Sequence, residues 1–314
     1  MTLPSLRPPT RDDEVEPREI VYRHFDREGL ARAYDVPASL PQHVVRAHLA
    51  RYAQASMRVR TSSSARLDLA YGPAPAQKLD VFTTSAPCAP IVVYFHGGGW
   101  RRGSKDERAF PAAHLSAAGI IWIPVGTSLC PTVTIEEMIA EARDAVAWVY
   151  AHAPTFGGDR RRIYVAGNSA GAHLAAMAAG THWQNRGLPA DVVRGALLCS
   201  GVYDFEPLTY HRFPDPAELF RDPAHRRALR SYRWLSPLCH LPRTACDALV
   251  AVGGNEPEEF RRQSVDYCDT LRKRGGHAQL LIAQGHDHFS LIGAWAEPDS
   301  ALFRAVVSLI TAAS

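Results

Sequence analysis

The sequence lacks both a metal-binding cysteine pattern and a strong excess of charge. Its six cysteines stand far apart, with no C-x-x-C pair and no zinc-like spacing. Lysine and arginine total 35 against 32 aspartate and glutamate residues, a formal net charge of +3. The arginines are scattered rather than gathered into a basic stripe, so we expect no nucleic-acid partner. The residue spacings likewise predict no bound metal ion.

Long apolar runs are also absent. The longest, around residues 117–125, is about half of the roughly 20 residues that a membrane-spanning helix needs. The segment Met1–Glu19 is rich in proline and charge and has no apolar signal stretch. We therefore expect a cytoplasmic protein with no membrane partner, in which residues 1–17 form a disordered arm. No glycine loop has the spacing of a phosphate cradle, so we expect no cofactor.

The rest of the chain alternates between continuous apolar runs and amphipathic helical periods. Strands are predicted at 67–71, 79–82, 91–95, 120–125, 162–166, 195–199, 248–252 and 279–282, and helices at 107–118, 135–152, 170–179 and 301–310. Such alternation predicts right-handed βαβ crossovers and a mostly parallel sheet with helices on both faces. We assign residues 18–314 to this single α/β domain.

Two segments depart from the alternation. Residues 18–60 have a helical, amphipathic pattern, and residues 206–242 form an insertion rich in proline, arginine and aromatic side chains. Ligands of open α/β sheets bind at the carboxyl ends of the strands. We predict that both segments form a small cap over that edge.

A pentapeptide between a predicted strand and a predicted helix carries the sharpest chemical signal. It reads Gly167-Asn168-Ser169-Ala170-Gly171, the G-x-S-x-G pattern in the strand–turn–helix context of a nucleophile elbow. The turn is so tight that flanking side chains would clash, which explains the two glycines. The hydroxyl of Ser169 then projects at a helix N-terminus, which favours developing negative charge. We predict a nucleophile, the alternative being an ordinary turn serine.

A glycine run, His96-Gly97-Gly98-Gly99-Trp100, directly follows the apolar strand 91–95. Acyl transfer needs N–H donors aimed at the oxyanion of the tetrahedral intermediate, and glycines leave backbone amides unobstructed. The hydrolase fold takes these donors from this loop and from the residue after the nucleophile. We therefore assign the oxyanion hole to Gly98, Gly99 and Ala170, and we expect His96 to order the loop.

The base should be a histidine late in the chain, because this fold places its triad in the order serine, acid, histidine. Residues 284–289 follow the last predicted strand and offer His286 and His288. We favour His288, because Phe289 begins an apolar helix that would fix its position. His286 is the alternative.

The orienting acid should lie just past strand 248–252. No aspartate is present there, and Glu256 is nearest to the strand end. Glu258 and Glu259 are expected to open the following helix, where acidic residues complement the helix dipole. Asp204 also follows a strand, but we expect it to cap a turn into the insertion. Glu256 is therefore the predicted acid.

Several stretches together resemble the arylformamidase (kynurenine formamidase) family, in the hormone-sensitive-lipase-like branch of the α/β-hydrolase fold. The resemblance runs from about Tyr22 to the C-terminus. It is carried by Tyr22-Arg23, Phe25-Asp26, Ala33-Tyr34-Asp35, Tyr71-Gly72-Pro73, Lys78-Leu79-Asp80-Val81-Phe82, His96-Gly97-Gly98-Gly99-Trp100, Gly103-Ser104-Lys105-Asp106, Ser169-Ala170-Gly171-Ala172-His173-Leu174-Ala175-Ala176-Met177, Ser200-Gly201-Val202-Tyr203-Asp204, Glu259-Phe260-Arg261-Arg262-Gln263-Ser264 and Asp287-His288-Phe289.

The resemblance implies the same triad, Ser169, Glu256 and His288, with the same oxyanion donors. The sequence departs from the family at two places. Glu256 stands where relatives commonly have aspartate. The strand ending at Val125 continues as Gly126-Thr127-Ser128-Leu129-Cys130-Pro131, where relatives have an Asn- or Asp-Tyr pair and then Leu-Ala-Pro. The second stretch is expected beside the site, so the pocket should differ there.

These observations lead to the hypothesis of a metal-free serine hydrolase acting on a small aryl formamide, with N-formyl-kynurenine or a relative as substrate. Six residues are predicted to contact the substrate: Tyr22, Trp100, Tyr203, Phe213, Trp234 and Phe289. A carboxylesterase sharing every catalytic residue is the alternative, and a non-catalytic binding homologue is a further one. No residue pattern reports the oligomeric state, and a homodimer is the working expectation.

Overall fold

A computed structural model describes residues 19–36, 39–61, 65–210, 231–242 and 246–312. Its centre is an eight-stranded sheet in the order β10-β9-β8-β7-β5-β6-β4-β3. These strands are β3 (Ala65–Ala70), β4 (Lys78–Phe82), β5 (Ala89–Phe95), β6 (Ile121–Val125), β7 (Gly158–Asn168), β8 (Gly195–Cys199), β9 (Asp247–Gly253) and β10 (Ala278–Ala283). Strands β5 to β10 pair in parallel, whereas β3 pairs antiparallel with β4, and β4 with β6. The mostly parallel sheet is as predicted.

Helices cover both faces of the sheet. They are α1 (Arg27–Tyr34), α2 (Gln42–Arg60), α3 (Ala112–Ala117), α4 (Ile135–His152), α5 (Ala170–Ala179), α6 (Glu258–Lys273), α7 (Ser290–Gly293) and α8 (Ala301–Ala312). Alternate residues of β5 belong to different apolar clusters, Val93 with side chains of α4 and α5, and Val92 with those of α3 and α8. A strand buried on both faces reads as a continuous apolar run, which is how β5 could be predicted.

Two segments differ from the sequence predictions. The helix predicted at 107–118 is a short 3-10 turn, Lys105–Arg108, followed by α3, because Pro111 has no N–H for an interior helical bond. The segment 18–60 is helical only in part. Pro41 separates α1 from α2, and α1 is preceded by a small antiparallel pair, β1 (Ile20–Tyr22) and β2 (Phe25–Asp26).

The proposed cap is described only in part. Its N-terminal component packs against α6 through α1. Of the insertion, the described residues form the 3-10 turns Pro207–Thr209, Ser231–Trp234 and Pro237–Cys239. Residues 1–17 and 211–230 lie outside the described part of the chain, so the disordered arm and the complete cap stay predictions. Within the described part, no helix is long and apolar enough to cross a membrane.

A cluster of charged side chains connects the end of α2 and strands β3 and β4 to residues 105–106, which follow the glycine loop 96–100. Asp80, on β4, is fully buried and accepts hydrogen bonds from Arg60 at the end of α2 and from Lys105. The Lys105 ammonium lies 2.7 Å from carboxylate oxygens of both Asp80 and Asp68, and 2.8 Å from Asp106. Removing Asp80 takes away the fully buried partner and leaves Arg60 and Lys105 paired only with the half-exposed carboxylates of Asp68 and Asp106.

Replacing Asp80 with alanine should therefore lower the free energy of unfolding by about 3 kcal/mol, measured by urea denaturation. Asp144→Ala is the matched control, because Asp144 pairs with Arg186 on the surface and its loss should cost about 0.5 kcal/mol. Equal, small losses in the two variants would contradict the importance of the buried cluster.

Candidate active site

A strained turn places Ser169 between β7 and α5. Its backbone has φ 54° and ψ −126°, in the positive-φ range that residues other than glycine rarely adopt. A Cβ atom added at Gly171 would lie 2.0 Å from the carbonyl oxygen of Phe95, and one at Gly167 would lie 2.4 Å from the backbone of Gly171. Both glycines are therefore required by close backbone approach. The Ser169 side chain stays partly accessible at the start of α5.

The glycine loop after β5 packs directly against this turn. A Cβ at Gly97 would lie 2.8 Å from the carbonyl oxygen of Asn168 and 3.1 Å from Cβ of Ser169. Gly98 and Gly99 both have positive φ, at 130° and 60°. Within the described part of the chain, the amides of Gly98 and Gly99 donate to no backbone or side-chain acceptor. Ala170 is the first residue of α5, where amides have no partner within the helix.

The structure brings Glu256 and His288 together. Their side chains are buried, and Nδ1 of His288 lies 2.7 Å from Oε2 of Glu256. The other carboxylate oxygen, Oε1, accepts hydrogen bonds from the Gly253 amide at 2.7 Å and from the Ser200 hydroxyl. Because a carboxylate only accepts, Nδ1 carries the proton, and a neutral imidazole then has a lone pair at Nε2. Such an imidazole can act as a general base.

The other candidate acids and the other candidate base, His286, do not form a buried carboxylate–imidazole pair like that of Glu256 and His288 in the described part of the chain. Glu258 is exposed, and Glu259 is fully buried in a two-point ion pair with Arg262, both contacts at 2.7 Å. Asp204 accepts hydrogen bonds from the Tyr22 hydroxyl and from the Glu206 amide, and the Arg262 guanidinium lies 3.9 Å away. His286 is partly exposed, and its Nδ1 is buried without a hydrogen-bond partner among the described residues. The pairing favours Glu256 and His288, whose catalytic roles stay predictions.

Ser200 is a site residue that the sequence interpretation missed. It directly follows β8, has φ 51° and is buried, and its hydroxyl donates to Oε1 of Glu256. It lies at the carboxyl end of β8, between β7 and β9 in the sheet. No motif or residue spacing in the sequence predicts the contact between Ser200 and Glu256, which lie 56 residues apart.

Two of the predicted substrate contacts are aromatic residues with little exposed surface. Trp100 is 4% exposed, and its indole N–H donates to His173 Nδ1 at 3.2 Å. Tyr203 is completely buried, and its ring stacks on Tyr267 with centroids 4.3 Å apart. Neither side chain offers a free face to a ligand in this structure.

The other predicted contacts lie nearer the surface. Tyr22 is half-buried, stacks on Tyr210 at 6.1 Å, and donates from its hydroxyl to Asp204. Burial and the Asp204 charge raise the pKa of Tyr22 to about 12. Phe289 is partly exposed beside the imidazole of His288, with ring centroids 5.7 Å apart. Trp234 is also partly exposed, and Phe213 lies outside the described residues.

A cavity of about 560 Å³ lies beside the glycine loop, and Ser169 is not among its lining residues. Its wall includes His96, residues 103–106 and residues 126–129, so the departure from the family pattern after Val125 lines this cavity. Burial lowers the pKa of His96 to about 4, which makes the imidazole neutral. Its Nδ1–H donates to the carbonyl oxygen of Gly97 at 2.9 Å, so His96 orders the loop.

Among the described residues, one group of carboxylates has the proximity of a metal site. Oxygen atoms of Asp68, Asp80 and Asp106 lie within 4.8 Å of one another. Lys105 bonds all three carboxylates and Arg60 bonds Asp80, so cations of the chain itself already pair with every member of the group. The arrangement is that of an ion-pair network, and the expectation of a metal-free site stays a prediction.

Together, the parallel sheet, the strained serine turn and the adjoining glycine loop define a class of enzyme. The chain belongs to the alpha/beta hydrolase fold family, whose model matches residues 92–291, and it is a hydrolase. It is 33% identical over 276 residues to kynurenine formamidase of Danio rerio, covering 87% of this chain and 92% of that protein.

Esterases are also among the similar proteins. Esterase LipC of Mycobacterium tuberculosis is 35% identical over 249 residues, which cover 73% of this chain and 61% of that protein. The solved structure of a hyperthermophilic esterase from Pyrobaculum calidifontis superposes with a TM-score of 0.64 at 22% identity, covering 91% of this chain and 95% of that one. The latter likeness supports the fold alone.

Proposed function

We propose that the protein is a serine hydrolase that cleaves small aryl formamides, with N-formyl-kynurenine or a close relative as substrate. The observation that carries the catalytic proposal is the buried bond from His288 Nδ1–H to Glu256, which supports His288 as the base and Glu256 as its orienting acid. The substrate class is supported by the similarity to kynurenine formamidases over most of both chains.

In the proposed mechanism, Ser169 Oγ attacks the formyl carbon while Nε2 of His288 accepts the hydroxyl proton. The amides of Gly98, Gly99 and Ala170 donate to the oxyanion of the tetrahedral intermediate. Losing one such donor typically reduces the rate about 100- to 1000-fold. His288 then protonates the departing arylamine nitrogen. Water hydrolyses the formyl ester on Ser169 and releases formate, with the same imidazole acting as the base.

Glu256 keeps the proton on Nδ1 of His288 and stabilises the imidazolium that forms during the reaction. Ser200 and the Gly253 amide both donate to the second oxygen of this carboxylate, which fixes its orientation. A glutamate at this position is one carbon longer than an aspartate. The two donors to Oε1 compensate by restricting the longer side chain.

A carboxylesterase is the second candidate, and esterases among the relatives favour it. Acyl esters would use the same nucleophile, base and oxyanion donors. The stretch 126–131, which departs from the formamidase family pattern, supports this alternative, whereas residues 259–264 and the N-terminal segment support the formamidase. The proposal further includes a cytoplasmic location and a small-molecule substrate with no cofactor, and a homodimer stays a prediction.

We expect purified protein to cleave N-formyl-L-kynurenine faster, as kcat/KM, than a short p-nitrophenyl ester, and Ser169→Ala to be inactive on both. Absorbance changes on product release measure both reactions. Faster cleavage of the ester would favour the carboxylesterase. Wild-type-like turnover by Ser169→Ala would overturn the nucleophile.

Glu256→Gln should lower kcat about 1000- to 10000-fold, because an amide that donates to the imidazole stabilises the wrong tautomer. Glu258→Gln is the matched control: this exposed residue lies two positions away and should leave kcat unchanged. His286→Gln should likewise retain activity, whereas His288→Gln should not. If Glu256→Gln keeps full turnover while Glu258→Gln loses it, the acid is misassigned.

A further inference from the structure

His173 connects three parts of the candidate site from a fully buried position. It lies on α5, one helical turn after Ser169. Its Nδ1 accepts the indole N–H of Trp100 at 3.2 Å, and its Nε2 contacts the carbonyl oxygen of Leu235 at 2.9 Å. The nucleophile helix, the glycine loop and the insertion therefore meet at one imidazole.

The two partners fix the protonation of this ring. An indole N–H can only donate and a carbonyl oxygen can only accept, so Nδ1 has the lone pair and Nε2 has the proton. Burial also lowers the pKa of His173 to about 3, which makes the ring neutral at physiological pH. The imidazole is thus committed to both bonds and is unavailable as a general base.

Trp100 needs such an anchor because its backbone is strained. Its φ is 61°, directly after positive-φ Gly98 and Gly99, and a bulky residue rarely adopts this conformation. The indole packs against the rings of His173 and Phe205, with centroids 5.4 and 5.3 Å away. The Trp100 side chain therefore holds the end of the glycine loop that carries Gly98 and Gly99, whereas the bond from His96 to Gly97 orders its beginning.

We propose that His173 is a positioning residue: through its bond to Trp100 it holds the Gly98 and Gly99 amides in the orientation that stabilises the oxyanion. The inference rests on the proposed function. His173 touches no reacting atom and acts only through Trp100. Loss of the bond should therefore raise the barrier of the chemical step and leave substrate binding nearly unchanged.

Two substitutions of His173 separate the hydrogen bond made by Nδ1 from the one made by Nε2. Asparagine places an amide oxygen near the position of Nδ1 and can accept from Trp100, whereas glutamine places an amide nitrogen near Nε2 and can donate to Leu235. We expect His173→Gln to lower kcat about 10- to 100-fold with KM changed by about threefold or less. This loss is smaller than the roughly 100- to 1000-fold loss on removal of an oxyanion donor, because the amides are displaced and not removed. His173→Asn should recover most of the lost turnover.

Trp100→Phe tests the same bond from the other side. It should lower kcat by a similar factor, and the double variant Trp100→Phe/His173→Gln should be no slower than either single variant, because both remove one shared interaction. His152→Gln is the matched control. His152 also bonds a backbone carbonyl and stacks on a tryptophan, Trp148, and its loss should leave kcat unchanged.

Urea denaturation of every variant separates positioning from folding. A His173→Gln or Trp100→Phe protein with normal kcat and reduced stability would overturn the proposal and leave a purely structural role. A rise in KM alone, or additive losses in the double variant, would also overturn it. All variants are assayed on whichever substrate the wild type cleaves, so an error in the named substrate does not affect the result. Persistent turnover by Ser169→Ala would instead refute the proposed function itself.

Discussion

The close approach of α5 to the backbone of β5 is the constraint on which the candidate site depends. Gly171 lies so near the carbonyl oxygen of Phe95 that no side chain fits between them. This contact forces the sharp turn at Ser169 and places the start of α5 beside the glycine loop that follows β5. The proposed nucleophile, the helix N-terminus and the proposed oxyanion donors are therefore brought together by one backbone packing contact.

Local features of the sequence predicted several helices and strands of the α/β domain correctly. Helices α4 and α5 and strand β8 have the predicted bounds, and a capping box of Thr134 and Glu137 marks the start of α4. The segment before α1 was predicted wrongly, because three- and two-residue strands are too short to show a period.

Glu256 and His288 could be paired across 32 residues only because the fold prescribes a chain order. Ser200 and the bonds of His173 have no such rule, and only the folded chain shows them.

Residues 126–129, which depart from the family pattern, are held by hydrogen bonds and line a cavity. Tyr71 donates to the carbonyl oxygen of Gly126, and Glu141 accepts from the Ser128 amide, so this stretch is fixed rather than loose. It lines the cavity on the His96 side of the glycine loop. Ser169, Glu256 and His288, the proposed triad, are not among the residues that line this cavity.

The central claim is that Ser169 forms a covalent intermediate. Reaction with an aryl fluorophosphonate, followed by proteolysis and mass spectrometry, tests it most directly, because this reagent traps an activated serine as a stable adduct. We predict a single adduct on the peptide containing Ser169, with loss of activity in proportion to labelling. Full inactivation with the adduct on another residue, or undiminished activity of protein labelled at Ser169, would contradict the account.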